Sequence, residues 1–192
     1  RFLRRPPRAD GLAYAEAVTS APLGPHVLPS PRPGRVGLIA HWEDDDALDA
    51  FLAEHRTAKL LDGGYFARME AVRCFGAWRE FGTLPGPGPA PVDGPVAALT
   101  LGRLRPTRLV PFLRASAKTE AAVIKSPALV LSSGLARPPL VSTFSVWESV
   151  DAMRAAVTPS HAEALATDGA KPFHRRSAFI RFAVREQRGT WS

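Results

Sequence analysis

Five histidines, one cysteine and a pair of arginines closing an apolar run carry most of the chemistry available to this chain. His161 stands at the start of a short helix that Ser160 can cap, where an imidazole could aim a metal-binding nitrogen over a sheet face. A solvated first-turn residue is the simpler reading. His174, His41 and His26 are alternative ligands, although His174, set between Phe173 and two arginines, reads more simply as an exposed strand start. His41 precedes Trp42 inside a strand, so the two side chains face opposite sides of a sheet. Arg103 and Arg105 alternate with Leu99 and Leu101, which sets two guanidiniums above an apolar floor. Their forked geometry matches carboxylates; the rival reading is an exposed strand end. Lys125 reads as a loop lysine.

Other chemistries find less support. The chain has no Gly-x-Gly-x-x-Gly, no phosphate loop, no Gly-x-Ser-x-Gly and no histidine pair at zinc spacing. Asp44, Asp45 and Asp46 open a helix, where carboxylates complement the helix dipole. Cys74 lies in an alternating apolar segment and reads as a buried, inert thiol. Arg73 to Trp78 faintly echoes an RNA-recognition octamer, but Cys74 and Ala77 stand where glycine and an aromatic belong.

The elements that must position these residues come twice. Trp42 and Trp147, Glu43 and Glu148, Asp46 and Asp151 share one offset of 105 residues. With a residue or two of slack, His55 falls on His161, Phe66 on Phe173, Arg68 on Arg175 and Phe75 on Phe182. Such a period is too long for a solenoid and predicts two fused copies of a small domain. Residues 82–95 hold five prolines and four glycines, a semi-rigid linker between a copy at 1–81 and another at 96–192. In the second copy the pattern predicts strands over 96–104, 128–135, 140–147 and 177–184. Thr107 caps a helix through 118, and Ser149 caps another. In the first copy it predicts a remnant strand at Phe2 and Leu3, a helix over 9–20, a weak strand near His26 and a strand over 36–42. A helix over 44–60 and a strand over 68–81 complete it. The order β-α-β-β-α-β is ferredoxin-like. Two such sheets face to face make an α+β barrel, here a pseudo-dimer within one chain, with Trp42 and Trp147 as core residues or walls of a flat pocket.

Composition bounds the rest. At 192 residues and 45% hydrophobic content the chain can bury a core. No apolar run approaches the roughly 20 residues of a membrane helix. The first residues lack a secretory signal and do not open on Met, so a trimmed product in a reducing cytoplasm is expected. The net charge of +7 raises nucleic acid as a partner, but only 4 of 25 basic residues are lysines and the arginines are scattered. Nucleic acid is therefore disfavoured, and attraction to an anionic membrane surface explains the charge as cheaply.

Taken in order, residues 99–117 (LTLGRLRPTRLVPFLRASA), 126–149 (SPALVLSSGLARPPLVSTFSVWES), 160–166 (SHAEALA) and 179–182 (FIRF) resemble the spheroidene monooxygenase family of carotenoid biosynthesis. The resemblance implies a haem-containing, dioxygen-using monooxygenase of the dimeric α+β barrel class, acting on a hydrophobic substrate of secondary metabolism. Under it, His161 becomes the axial iron ligand, Arg103 and Arg105 become propionate clamps, and an electron-donating redox partner is required. Val157-Thr158-Pro159 and His174-Arg175-Arg176 depart from the family pattern, which leaves the substrate open. Peripheral membrane contact and homodimerisation are further expected associations. The rival expectations are a cofactor-free barrel enzyme of monooxygenase or cyclase type, and a non-catalytic module binding a hydrophobic ligand or nucleic acid.

Overall fold

Along residues 96–101 the apolar side chains turn alternately to two different cores, and that alternation organises the protein. In a computed structural model that describes residues 2–24, 35–156 and 172–190, seven strands form one antiparallel sheet. They are β1 (Leu12–Ala21), β2 (Val36–Trp42), β3 (Phe66–Gly76), β4 (Val96–Leu104), β5 (Leu129–Arg137), β6 (Leu140–Trp147) and β7 (His174–Arg188). Their spatial order is β2-β1-β5-β6-β4-β7-β3. The helices are α1 (Asp45–Glu54), α2 (Arg56–Leu61), α3 (Leu109–Val123) and α4 (Val150–Ala156).

Ala97, Leu99 and Leu101 of β4 enter one core with Val18 of β1, Cys74 of β3, Leu131 of β5, Phe144 of β6 and Ile180 of β7. Strands near both ends of the order thus meet around a single cluster, which only a curled sheet permits. The other face of β4 presents Val96 and Ala98 to Trp147 and to Met153 of α4. The sheet therefore has an inner face closed on itself and an outer face that α4 covers.

The second half reads β4-α3-β5-β6-α4-β7, with neighbours β5-β6-β4-β7, in the predicted element order. β4 and β6 carry the predicted limits, and the Ser149 hydroxyl accepts from the Ala152 N–H at 3.1 Å as the expected cap. The first half corrects the expectation. Residues 9–20, predicted as a helix, are mainly β1. Alanines raised the helix propensity there, but Tyr14, Glu16, Val18 and Ser20 point inward at period 2, and β1 gains ladder partners on both sides, β2 and β5. Phe2–Arg4 is a 3-10 turn and not a remnant strand. The helix expected over 44–60 breaks at His55, whose backbone is extended and whose Nδ1 accepts from the Thr57 N–H at 3.1 Å to start α2. β3 ends at Gly76, whose φ of 78° ends the ladder, and not at residue 81. The strand predicted near His26 lies outside the described residues. Among the described residues the first half has no strand and helix ahead of β1. Its hairpin β1-β2 adds to β5, and β3 adds to β7.

Candidate functional site

Antiparallel order brings the starts of β1, β6 and β7 to the same end of the sheet as the ends of β2, β3, β4 and β5. On the inner face at that end stand Tyr14, Glu16, His41, Arg103, Arg137 and Arg176. The ladder pairs Tyr14 with His41 and Arg103 with Arg176, so each pair shares a face. Just past β3, Trp78 and Phe81 fold into this end, 1% and 4% exposed. The Phe81 ring lies 5.3 Å from His41, stacked, and 5.1 Å from Tyr14, edge-on.

Two charged networks frame these rings. The buried Glu16 carboxylate accepts from Tyr14 Oη at 3.0 Å and from Arg137 Nη1. Glu80 accepts from Arg176 Nη2 at 2.7 Å, with Arg103 Nη2 at 3.8 Å. Both guanidiniums also lie over the Trp78 ring, at 4.3 Å for Arg176 and 5.6 Å for Arg103. Burial and the adjacent Glu16 carboxylate push the Tyr14 phenol far above its ordinary value, so it stays a neutral donor. Burial lowers the His41 imidazole, which is therefore neutral and able to accept a proton at pH 7. Burial alone would raise Glu80, but its hydrogen bond and charge contact with Arg176, helped by Arg103, hold it below the ordinary carboxylate value.

The His41 and Glu80 shifts couple stability to pH in one direction. His41 binds its proton more readily unfolded, so its contribution is present above about 6.5 and fades as pH falls below it. Glu80 behaves likewise below about 4.5, because its folded value is depressed. Urea midpoints measured from pH 8 to 3 are expected to fall in two steps, and His41→Gln to remove the upper one. A midpoint flat from 7 to 5 would contradict the burial of that imidazole.

The structure separates several residues that the sequence grouped. Arg103 is on the inner face with Leu99 and Leu101, as expected, but Arg105 lies past the strand end. It is exposed, and its Nε donates to the His174 carbonyl at 3.4 Å. The two arginines therefore do not form one clamp; Arg103 joins Arg176 and Glu80 instead. Neither tryptophan lines this site: Trp147 is a core residue, and Trp42, next to His41 in β2, is half-buried. Trp42 packs on Phe51 of α1 at 4.9 Å, and Trp147 packs in the outer core. Cys74 is buried and its thiol is raised by burial, as an inert residue should be. Lys125 is exposed, and Asp44 caps α1 through the Ala47 N–H at 2.8 Å. Sequence reasoning missed Tyr14, Glu16, Trp78, Glu80 and Arg137. Period 2 through Tyr14, Glu16 and Val18 was the signal available for the first two.

Among the described residues no three His, Cys, Asp or Glu side chains cluster to hold a metal ion. For haem the relevant test is one free imidazole beside space and cations. His55 borders a hollow of about 610 Å³, but Asp10, Glu43, Asp44 and Glu54 line it and would repel propionates. Its Nδ1 is also committed to the α2 cap. His174 fills the space that Gly102 leaves and sits edge-on to Phe112 at 5.2 Å. His41 is stacked on Phe81, and the nearby arginines already hold carboxylates. The described residues therefore do not fit a haem; His161 and His26 lie outside them.

No protein-family model matches the chain. Over 171 residues it is 33% identical to spheroidene monooxygenase of Rubrivivax gelatinosus, an alignment covering 84% of this chain. The chain spans 64% of that relative's length. Among solved structures, a proposed monooxygenase of Fusobacterium nucleatum is similar with a TM-score of 0.48 and 9% identity, over 95% of this chain and 80% of that one. One from Lactobacillus acidophilus is similar with a TM-score of 0.45 and 12% identity, over 96% and 82%.

Proposed function

Because the chain is a homologue of spheroidene monooxygenase over most of its length, we propose that it is an oxygenase that adds an oxygen atom from dioxygen to a hydrophobic small molecule. The homology carries the reaction class. What supports the place is the inner end of the sheet, where Trp78, Phe81 and Tyr14 pack as an apolar, aromatic cluster and His41, Arg103 and Arg176 give a polar rim. In this reading β1-β2 and β3 are the part of a first ferredoxin-like copy that the described chain supplies, and the curled sheet is an α+β barrel shared by the halves at 1–81 and 96–192. A carotenoid-like polyene or another secondary metabolite is the substrate class, following the name of the relative. Exposed Leu109 and Val110 beside Arg105, Arg114 and Lys118 support peripheral contact with an anionic membrane surface, where such a molecule resides. Among the described residues no helix is long and apolar enough to cross a membrane.

Haem enters this proposal through His161 alone, with an electron-donating partner. When bound, it would supply the activation of dioxygen. Reconstitution with hemin tests it: a sharp Soret band that shifts with carbon monoxide, and that weakens at least tenfold in His161→Ala, is expected. An unchanged band in that variant would remove His161 from the role.

A second reading is favoured by His41, a neutral imidazole stacked on Phe81 and paired across the ladder with Tyr14. There the protein needs no cofactor, and His41 takes a proton from an acidic C–H or phenolic substrate, which then reacts with dioxygen directly. Colourless protein that consumes dioxygen with such a substrate, and stops doing so in His41→Gln, would select this reading over the first.

A further inference from the structure

Arg181 lies on the outer face of the sheet, away from the site described above, and its surroundings are anomalous. It is 4% exposed, yet its Nε and Nη1 make no hydrogen bond. The ladder sets it between Ala98 of β4 and Arg73 of β3, so two arginines are cross-strand neighbours on one face. The irregularity between Ala71 and Arg73 in β3 creates that match. Arg154 of α4 contributes a third positive charge felt at Arg181, and Met153 beside it packs on Ala98. A buried guanidinium flanked by two like charges is costly unless an anion compensates it.

We infer that Arg73, Arg154 and Arg181 form an anion site on the outer face that takes a carboxylate or phosphate group. Arg181 has two donor nitrogens, Nε and Nη1, without acceptors, and a charge-assisted hydrogen bond from either to an anion oxygen would satisfy it. Arg73 is held in place over the Phe75 ring at 4.5 Å, and its Nε is likewise without an acceptor. Arg154 is the half-exposed member, and its pairing at 3.6 Å with Asp151, whose side chain is 93% exposed, is one that water and salt readily replace. The anion therefore enters from the α4 side.

Thermal unfolding of the full chain with inorganic phosphate, with succinate and with sodium chloride at matched ionic strength tests this. Phosphate or succinate at a hundredfold excess over its Kd is expected to raise Tm by about 5–10 °C, and sodium chloride much less. The responding anion identifies the class. Arg181→Met is expected to lose the response and to be at least as stable as the parent protein without anion. An equal response to all three salts, or a full response retained in Arg181→Met, would overturn the site. Should Arg181→Met not fold, Arg154→Gln decides: weakening of the responding anion's affinity by about fivefold or more supports the site, and unchanged affinity overturns it.

Discussion

Trp78→Ala is expected to lower the free energy of unfolding by about 3–5 kcal/mol, the range for deleting a large buried aromatic side chain. The indole is 1% exposed and plugs the end of the inner core just past Gly76. It also carries Arg176 and Arg103 over its ring, contacts of roughly 0.5–2 kcal/mol each when partly desolvated. Removing it leaves a void and unseats the two cations that neutralise Glu80. Urea unfolding followed by circular dichroism should show a lower midpoint with an unchanged slope. Trp78→Phe should restore most of the packing but less of the cation contact, leaving a loss of about 1–2 kcal/mol. A loss under about 1 kcal/mol in the alanine variant would mean that the indole is not the plug that the geometry describes.

The second large effect is an asymmetry within one ion pair. Glu16 is 7% exposed, whereas the Arg137 side chain is 37% exposed. Arg137→Met strands a carboxylate that cannot reach water and keeps only the Tyr14 hydroxyl, so a loss of about 2–3 kcal/mol is expected. Glu16→Gln leaves an arginine able to turn outward and should cost only about 1 kcal/mol. Replacing both by Met should recover much of the Arg137→Met loss, because an apolar pair of similar volume avoids the uncompensated charge. Equal costs for the two single variants would show that both groups are solvated alike.

These sensitive positions mark where the sequence was readable and where it was not. β4 and β6 were legible to the residue because their branched and aromatic side chains alternate between two apolar faces, and the breaks at Arg105-Pro106 and Pro138-Pro139 bound them. β1 was not, since alanine at positions 13, 15, 17 and 21 suits a helix as well as a strand. Its pairing with β2, and with β5 across more than half the chain, decides the matter. Arg103 was found as a candidate because it ends an apolar run. Its true partners, Glu80 and Arg176, come from a 3-10 turn and a distant strand, and no local spacing announces them. Trp78 was seen only as part of a false motif. Its importance arises from burial at a convergence of seven strands, which is a property of the closed sheet and not of any one segment.

The placement of β7 between β4 and β3 has a consequence for synthesis. While the first half emerges from the ribosome, β1 and β2 precede their partner β5, and β3 precedes its ladder partner β7 by about 100 residues. Pairings of such long sequence separation form slowly and leave sticky intermediates in the interval. Yield in a recombinant host should therefore depend on chaperone supply and growth temperature more than on the stability of the finished molecule.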